Sequence, residues 1–446
     1  MAQRIPRTIN ILEMNANLAY AGGQRNMVTF AKYLHKDMFS VTVCAYHGGG
    51  PLESVITSLG IPCVVADGDV EKIVSIIKEK NIDIIHIHRS GGYVAIETKI
   101  LQRAKEINPN IIIIEKNVFG KFDPTVDSII DCSLFQSMMH IHERYIPKSH
   151  KEFNFEKQKV LYNMVDREEF ESYRVSKEEI QNYREKIGVK SGEYVIGKIA
   201  RPALEKWSDL LIDMVPYLAR ELQDFKVVII GCPPSRIQRI NKSRYKKFFI
   251  LLPETSDQKE IHLFYQSIDV LAHSSKIGEC NGNTINEAMF WKKPVLVNST
   301  PRKDNGQLEQ VIHMQNGIIA NTPMTFARAL AYLGTNDDES KKMGEAGYAQ
   351  IRAVYDPVVV TKRLEKLFFE KIGAKDFLAP EEYVNIEYYP TEQEIRDYKQ
   401  EYNIRLQWEF GKLSTGDRLH LVVSLPRKFY FKVRDFVEHK WKSYAK

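Results

Sequence analysis

Residues 268–298 read IDVLAHSSKIGECNGNTINEAMFWKKPVLVN, and their pattern decides the fold class. Two short apolar runs, IDVLAHS (268–274) and KPVLVN (293–298), flank a loop and a stretch in which Ile285, Ala288 and Met289 follow helical spacing. Neither run alternates apolar with polar residues. Continuous apolar strands of this kind are covered on both faces, as in a parallel sheet crossed by helices.

The same alternation extends outward in both directions. Upstream in the second half lie YVIGKIA (194–200), KVVIIG (226–231) and FFILLP (248–253), and GIIA (317–320) follows. The first half carries INILEM (9–14), SVTVCAY (40–46), PCVVA (62–66), IDIIHIH (82–88), NIIIIEK (110–116), IIDCSLF (129–135) and KVLYN (159–163). Met27, Phe30, Ala31 and Leu34 mark an intervening helix. A polar stretch at 164–193 interrupts the series and reads as the join between two lobes.

The predicted class is therefore α/β: two doubly wound, Rossmann-like lobes facing a cleft, with a mainly helical C-terminal extension. The first lobe takes residues 1–185 and the second 190–356; a return helix follows over 357–374 and the extension occupies 375–446. A length of 446 residues suits two lobes and a smaller addition at roughly 150 residues per domain.

Composition narrows the function classes. Apolar residues at 43% and charged residues at 27% are the balance of a soluble globular protein. Lysine and arginine number 63 against 57 acidic residues, a net charge of +6, which argues against a nucleic-acid binder. Five cysteines (Cys44, Cys63, Cys132, Cys232, Cys280) form no C-x-x-C pair, which argues against a disulfide framework or a structural zinc and suits a reducing compartment. No run reaches the roughly 18 apolar residues of a membrane span, so a cytoplasmic protein, at most peripheral to a membrane, is expected. Asp67-Gly68-Asp69 reads as a turn. No G-x-G-x-x-G follows a strand, which disfavours a dinucleotide-dependent oxidoreductase.

Chemistry concentrates in three places. In ECNGNTINE (279–287), Glu279 ends a strand-to-helix loop, Gly282 permits close backbone approach and Glu287 falls in the first helical turn. Amides of Asn281, Gly282, Asn283 and Thr284, with the helix dipole, make a diphosphate site, and the two glutamates become acceptors for hydroxyls. The same letters also read as a capping box from Thr284 to Glu287, and both readings stand at this level. In GKIARPALEKW (197–207), Arg201 and Lys206 leave a strand's carboxyl end, either as two solvated cations or as partners of one anion. In the first lobe, Gly22 and Gly23 follow a strand, as a tight turn or as a place for backbone to meet a phosphate or sugar. His86 and His88 are expected on opposite faces of their strand, one in the core and His88 turned to the cleft as a hydrogen-bonding or proton-transfer group.

Taken together, these residues resemble the GT-B glycosyltransferases of glycosyltransferase family 4. ECNGNTINEA matches that family's E-x7-E signature, Arg201 and Lys206 fall where it places a diphosphate-binding pair, and VLYNMVD (160–166) looks like its interdomain V-x-N-G-V-D. AGGQ and DIIHIH fall where its acceptor-side motifs do, and the likeness covers roughly residues 8–370. Two departures stand out: Cys280-Asn281-Gly282 replaces Gly-Phe-Gly, and Met164 replaces a glycine.

The resemblance implies transfer of a sugar from a UDP- or GDP-sugar to a glycan or lipid-linked acceptor, with retention and with no required cofactor or metal. Arg201, Lys206 and the helix from Thr284 would hold the departing diphosphate. Glu279 would take donor-sugar hydroxyls and Glu287 the ribose. Leu252 and Pro253 would pack the nucleobase, while His88 and the Gly22-Gly23 loop would serve the reacting face and the acceptor. A nucleotide-sugar epimerase of the same fold and an inactive nucleotide-sugar-binding scaffold remain the alternatives.

The extension reads separately. Thr391 and Glu394 predict a capping box opening a helix through about 408. Residues 425–446 hold seven lysines and arginines against Asp435 and Glu438, which is most of the chain's net positive charge. With Phe429, Val433, Phe436, Val437 and Tyr444 on one face, they read as an anionic-membrane binder or as a helix packed on the N-terminal lobe.

Overall fold

In a computed structural model, which describes residues 7–301, 303–373, 380–411 and 415, every one of the thirteen apolar runs forms a strand. Seven build the first sheet: β1 (Ile9–Asn15), β2 (Phe39–Ala45), β3 (Cys63–Val65), β4 (Ile84–Arg89), β5 (Ile112–Asn117), β6 (Cys132–Phe135) and β7 (Gln158–Val160). They are ordered β3-β2-β1-β4-β5-β6-β7. Six build the second: β8 (Tyr194–Ile199), β9 (Phe225–Ile230), β10 (Phe249–Leu252), β11 (Val270–His273), β12 (Val295–Val297) and β13 (Gly317–Ile319), ordered β10-β9-β8-β11-β12-β13. All pairings are parallel. Parallel strands joined by crossovers place helices on both faces, and this is why the runs are apolar throughout.

Each sheet reverses direction once: between β1 and β4 in the first lobe, and between β8 and β11 in the second. Loops leaving two strands at such a reversal turn to opposite faces and leave a crevice between them. This decides where the site lies.

The polar join is not a plain linker. It holds two short helices, Arg167–Ser172 capped by Asp166 and Lys177–Lys186 opened by a capping box of Ser176 and Glu179. Helix α1 (Gly22–Tyr33) buries Met27, Phe30 and Ala31 against the first sheet, and helix α2 (Asn283–Phe290) buries Ile285, Ala288 and Met289 in the second lobe. Asp67-Gly68-Asp69 is a turn, with φ of 51° and 84° at Asp67 and Gly68, and Asp69 caps the next helix.

After the second lobe, helix α3 (Pro357–Ile372) carries the chain back to the first. Val360, Leu364, Leu367 and Phe368 share one face and pack against Ile9, Phe39 and Ile84. Each such fully buried side chain stabilises the docking by about 2 kcal/mol. Helix α4 (Glu392–Arg405) opens with the capping box of Thr391 and Glu394, and ends three residues before the predicted limit. Its Ile395 and Tyr398 join a cluster that also contains Phe135 and Tyr145 of the first lobe and Ile285 and Trp291 of the second. The extension thus packs where the lobes meet. The predicted basic amphipathic segment 425–446 lies outside the described residues.

Candidate active site

The loops after β8 and β11 flank the reversal in the second sheet, and an ion pair joins them beside two backbone bonds, in which Lys276 N and Ile277 N both donate to the Glu205 carbonyl over 3.2 Å. Lys206 Nζ lies 2.8 Å from Glu279 Oε2. Next to Lys206 in the β8 loop, Trp207 is buried and its Nε1 donates to the Arg201 carbonyl over 2.8 Å, which fixes the turn that carries both cations. Arg201 itself is exposed.

The β11 loop is held from beneath by two glutamines. Glu279 N donates to Gln307 Oε1 over 3.0 Å, Gly282 N donates to Gln310 Oε1 over 2.7 Å, and Gln310 returns a bond to the Gly282 carbonyl. Gly278 has φ of 78°, and a Cβ there would collide with the Asp304 carbonyl, so only glycine fits. The amide of Gly282, expected to face a ligand, is therefore spent inside the protein. Helix α2 starts at Asn283 with Gly282 as its cap and no side-chain cap, leaving the helix start to Asn283 and Thr284. The alternative capping box from Thr284 to Glu287 does not form.

Glu279 accepts from two sides. His273 Nε2 is 3.0 Å from Oε1, opposite the Lys206 contact. Burial by itself would raise the Glu279 pKa, but the His273 hydrogen bond and the Lys206 charge outweigh it and hold it at about 2. Burial, helped by Lys198, pushes His273 down to about 4, so it is neutral at pH 7 and serves as a hydrogen-bond donor. The fully buried Lys198, pushed down to about 7 by burial, donates to the Ser274 carbonyl over 3.0 Å. His273 and Lys198 were missed by sequence reasoning. The available signal was a histidine at the carboxyl end of IDVLAH.

Glu287 faces the other lobe. Tyr265 donates its hydroxyl to Glu287 Oε2 over 2.7 Å, and Arg25 of α1 lies 3.4 Å from Oε1. Arg25 also approaches Glu169 at 3.6 Å. The sequence reading did not single out Arg25, because only the tertiary fold brings α1 to α2. A cleft cavity opens between these elements, lined by Gly22, Arg25, Met164, Glu169, Asn283 and Glu287. Gly22 and Gly23 open α1 and do not form the expected tight turn; a Cβ on Gly22 would come within 2.7 Å of Asn283 Nδ2, so the start of α1 touches the start of α2, and Gly23 is open. Asn163 donates to Asn283 Oδ1 over 3.2 Å. Asn281 is 7% exposed, yet neither atom of its side-chain amide has a partner among the described residues. A buried unpaired amide is costly unless a ligand completes it.

Leu252 and Pro253 stand at the carboxyl end of β10, half-buried and exposed respectively, two strands from β8 at the sheet edge. His88 requires a correction. Residues two apart on a strand share a face, so His86 and His88 do not diverge. Their rings lie 4.7 Å apart and both meet Glu13, at 2.8 Å and 3.3 Å. His88 is 4% exposed beside Phe30, and burial pushes its pKa down to about 4. It is a neutral core histidine and does not reach the cleft.

Residues 179–350 match the sequence family described as "Glycosyl transferases group 1". Alpha-monoglucosyldiacylglycerol synthase of Acholeplasma laidlawii is 24% identical over 197 residues, 44% of this chain and 48% of that protein, so the match spans about half the length of this relative. Among solved structures, a glycosyltransferase of Rickettsia africae superposes with a TM-score of 0.68 at 18% identity, covering 82% of this chain and 100% of that one. HepE of Anabaena, solved with UDP, gives 0.63 at 18% identity, covering 81% and 99%. The two reversing parallel sheets are those of a GT-B fold, whose second lobe carries a glycosyl transferases group 1 region.

Proposed function

We propose that this chain is a retaining glycosyltransferase of the family 4 type, moving a sugar from a nucleotide diphosphate sugar to a glycan or lipid-linked acceptor. The observation that carries this reading is the Lys206–Glu279 pair at the reversal of the second sheet, beside the uncapped start of α2. A cation, a carboxylate and a helix N-terminus converge there, which suits a sugar diphosphate better than either group alone.

In this reading Arg201, Lys206 and the start of α2 hold the diphosphate, Glu279 accepts from donor-sugar hydroxyls, and Glu287 meets the ribose. The unpaired Asn281 amide is available to the same sugar. Leu252 and Pro253 flank the nucleobase, and Gly22 and Gly23 approach the phosphate from the first lobe. The acceptor hydroxyl oxygen bonds to the anomeric carbon as the bond to the phosphate oxygen breaks. The electron pair leaves with the diphosphate, whose oxygen takes the acceptor proton on the same face. Arg201 and Lys206 neutralise the charge that develops there, and no metal is required.

A UDP-sugar is the favoured donor, since HepE was solved with UDP and with UDP-glucose. Diacylglycerol is the favoured acceptor, by analogy with the synthase from Acholeplasma, whose name gives a monoglucosylated diacylglycerol as its product. No described helix is long and apolar enough to cross a membrane, so a lipid acceptor would be met at a membrane surface, with residues 425–446 as the proposed contact.

Calorimetric titration with UDP and GDP, with and without EDTA, tests the donor class. UDP binding that survives EDTA is expected. Binding of neither nucleotide would overturn the reading. Product analysis with donor alone separates an epimerase, and binding without turnover across lipid and glycan acceptors marks an inactive binder.

A further inference from the structure

A second group of chemically active side chains lies on the far side of the β11 loop. His140 comes from a π-helical turn of the first lobe (His140–Tyr145), and Cys280 and Asp304 come from the second lobe. One ligand atom from each falls within 4.8 Å of the other two. His140 is 0% exposed, and neither of its ring nitrogens has a hydrogen-bond partner among the described residues. An imidazole with both nitrogens buried and unpaired is costly to fold and points to something that completes it. Insertions of a π-helical turn also recur at functional sites.

Asp304 divides its oxygens in a way that suits a cation. Oδ1 pairs with Arg144, while Oδ2 accepts from the Cys280 thiol over 3.5 Å. The arginine thus holds the carboxylate in place and leaves Oδ2 to the sulfur. Burial and the Asp304 charge push the Cys280 thiol up, so it stays protonated until a metal takes it.

We propose that His140, Cys280 and Asp304 bind a thiophilic divalent cation of the Zn2+ class, which bridges the two lobes. Nitrogen, sulfur and oxygen donors together favour such an ion over Mg2+ or Ca2+, which prefer oxygen alone. Three protein ligands leave the fourth tetrahedral position to water or a small ligand. Ligand atoms on one Zn2+ are roughly 3.5 Å apart, so the site closes by about 1 Å on binding. The Cys280 sulfur bonds the metal as its proton leaves to solvent. Because Cys280 follows Glu279 directly, the ion ties the candidate sugar loop to the first lobe. This does not depend on the chain being a transferase.

Cobalt(II) titration of the full-length reduced protein tests it. One equivalent is expected to produce the thiolate-to-metal charge-transfer band, with release of about one proton at pH 7, and Zn2+ is expected to displace it. The other group of possible ligands among the described residues, Glu13 with His86 and His88, holds no sulfur and cannot give that band. Cys280→Ser abolishes the band and weakens Zn2+ binding at least tenfold; His140→Gln weakens it similarly. Cys63→Ser, at a half-exposed cysteine elsewhere, retains both. Absence of the band in the wild type, or its persistence in Cys280→Ser, overturns the proposal. If His140→Gln fails to fold, Cys280→Ser and its lost proton release still decide.

Discussion

Lys206 and Glu279 stand 73 residues apart in sequence and 2.8 Å apart in space, and they join the two loops that leave the reversal of the second sheet. The pair holds the β8 loop to the β11 loop before any ligand arrives. Lys206→Met therefore removes a cation from the proposed diphosphate site and leaves Glu279 with only a neutral imidazole donor. Turnover of a UDP-sugar is expected to fall about 100-fold or more, with little change in thermal midpoint, because Lys206 is partly exposed. Steady-state kinetics beside a melting curve check both halves.

The Arg25–Glu287 contact crosses the cleft. Arg25→Met leaves Glu287 and Glu169 without their shared cation and should destabilise the fold by about 2 kcal/mol. Adding Glu287→Gln should recover part of that loss, since the amide keeps the Tyr265 bond without an unpaired charge. Urea unfolding of the two single variants and the double variant measures the coupling. Strict additivity would show that the pair does not act across the lobes.

Acid should unfold this protein early. Burial pushes the pKa values of His88 and His273 down to about 4, and those of His140 and His262 to about 3. In the unfolded chain each titrates near 6.5, so below that pH the unfolded state binds more protons. The stability these neutral imidazoles preserve is complete above about pH 6.5 and is lost as pH falls toward 4. Each histidine contributes a slope of up to about 1.4 kcal/mol per pH unit in that window. Urea midpoints measured from pH 7.5 to 4.5 should fall steadily. A flat profile would contradict the buried, neutral assignment.

His88→Asn separates a core histidine from a catalytic one. Losing the ring from a buried site beside Phe30 should cost about 2 kcal/mol, while nucleotide affinity of the folded fraction stays within twofold of wild type. A stable variant with abolished turnover would restore the catalytic role.

The two glycines that open α1 should differ. A methyl on Gly22 meets the amide end of the half-buried Asn283 side chain at 2.7 Å and makes it swing aside, so Gly22→Ala is expected to lower nucleotide affinity with only a small drop in thermal midpoint. A methyl on Gly23 meets nothing, so Gly23→Ala keeps the midpoint and loses affinity only if a ligand packs there. Differential scanning calorimetry with and without UDP separates the two effects.

The strands were legible because a two-sided burial requirement writes itself into consecutive residues. INILEM, NIIIIEK and KVVIIG could only be interior strands of a parallel sheet, and each became one. Local chemistry was equally readable where donor and acceptor are three residues apart, as in the capping box of Thr391 and Glu394. The Asp67-Gly68-Asp69 turn was local in the same sense.

What the letters did not contain was every relation set by packing at long range. Whether Glu287 capped its own helix or faced Arg25 depended on where α1 came to rest, 262 residues away in sequence. Whether the Gly282 amide was free depended on Gln310, and whether His88 saw solvent depended on Phe30 and Glu13 covering it. By itself, then, the sequence determined two parallel, doubly wound lobes and the two loops where charged residues gather. The tertiary structure alone decided which of those charges meet. Burial and distance set a side chain's protonation and partners, and both belong to the folded arrangement of the whole chain.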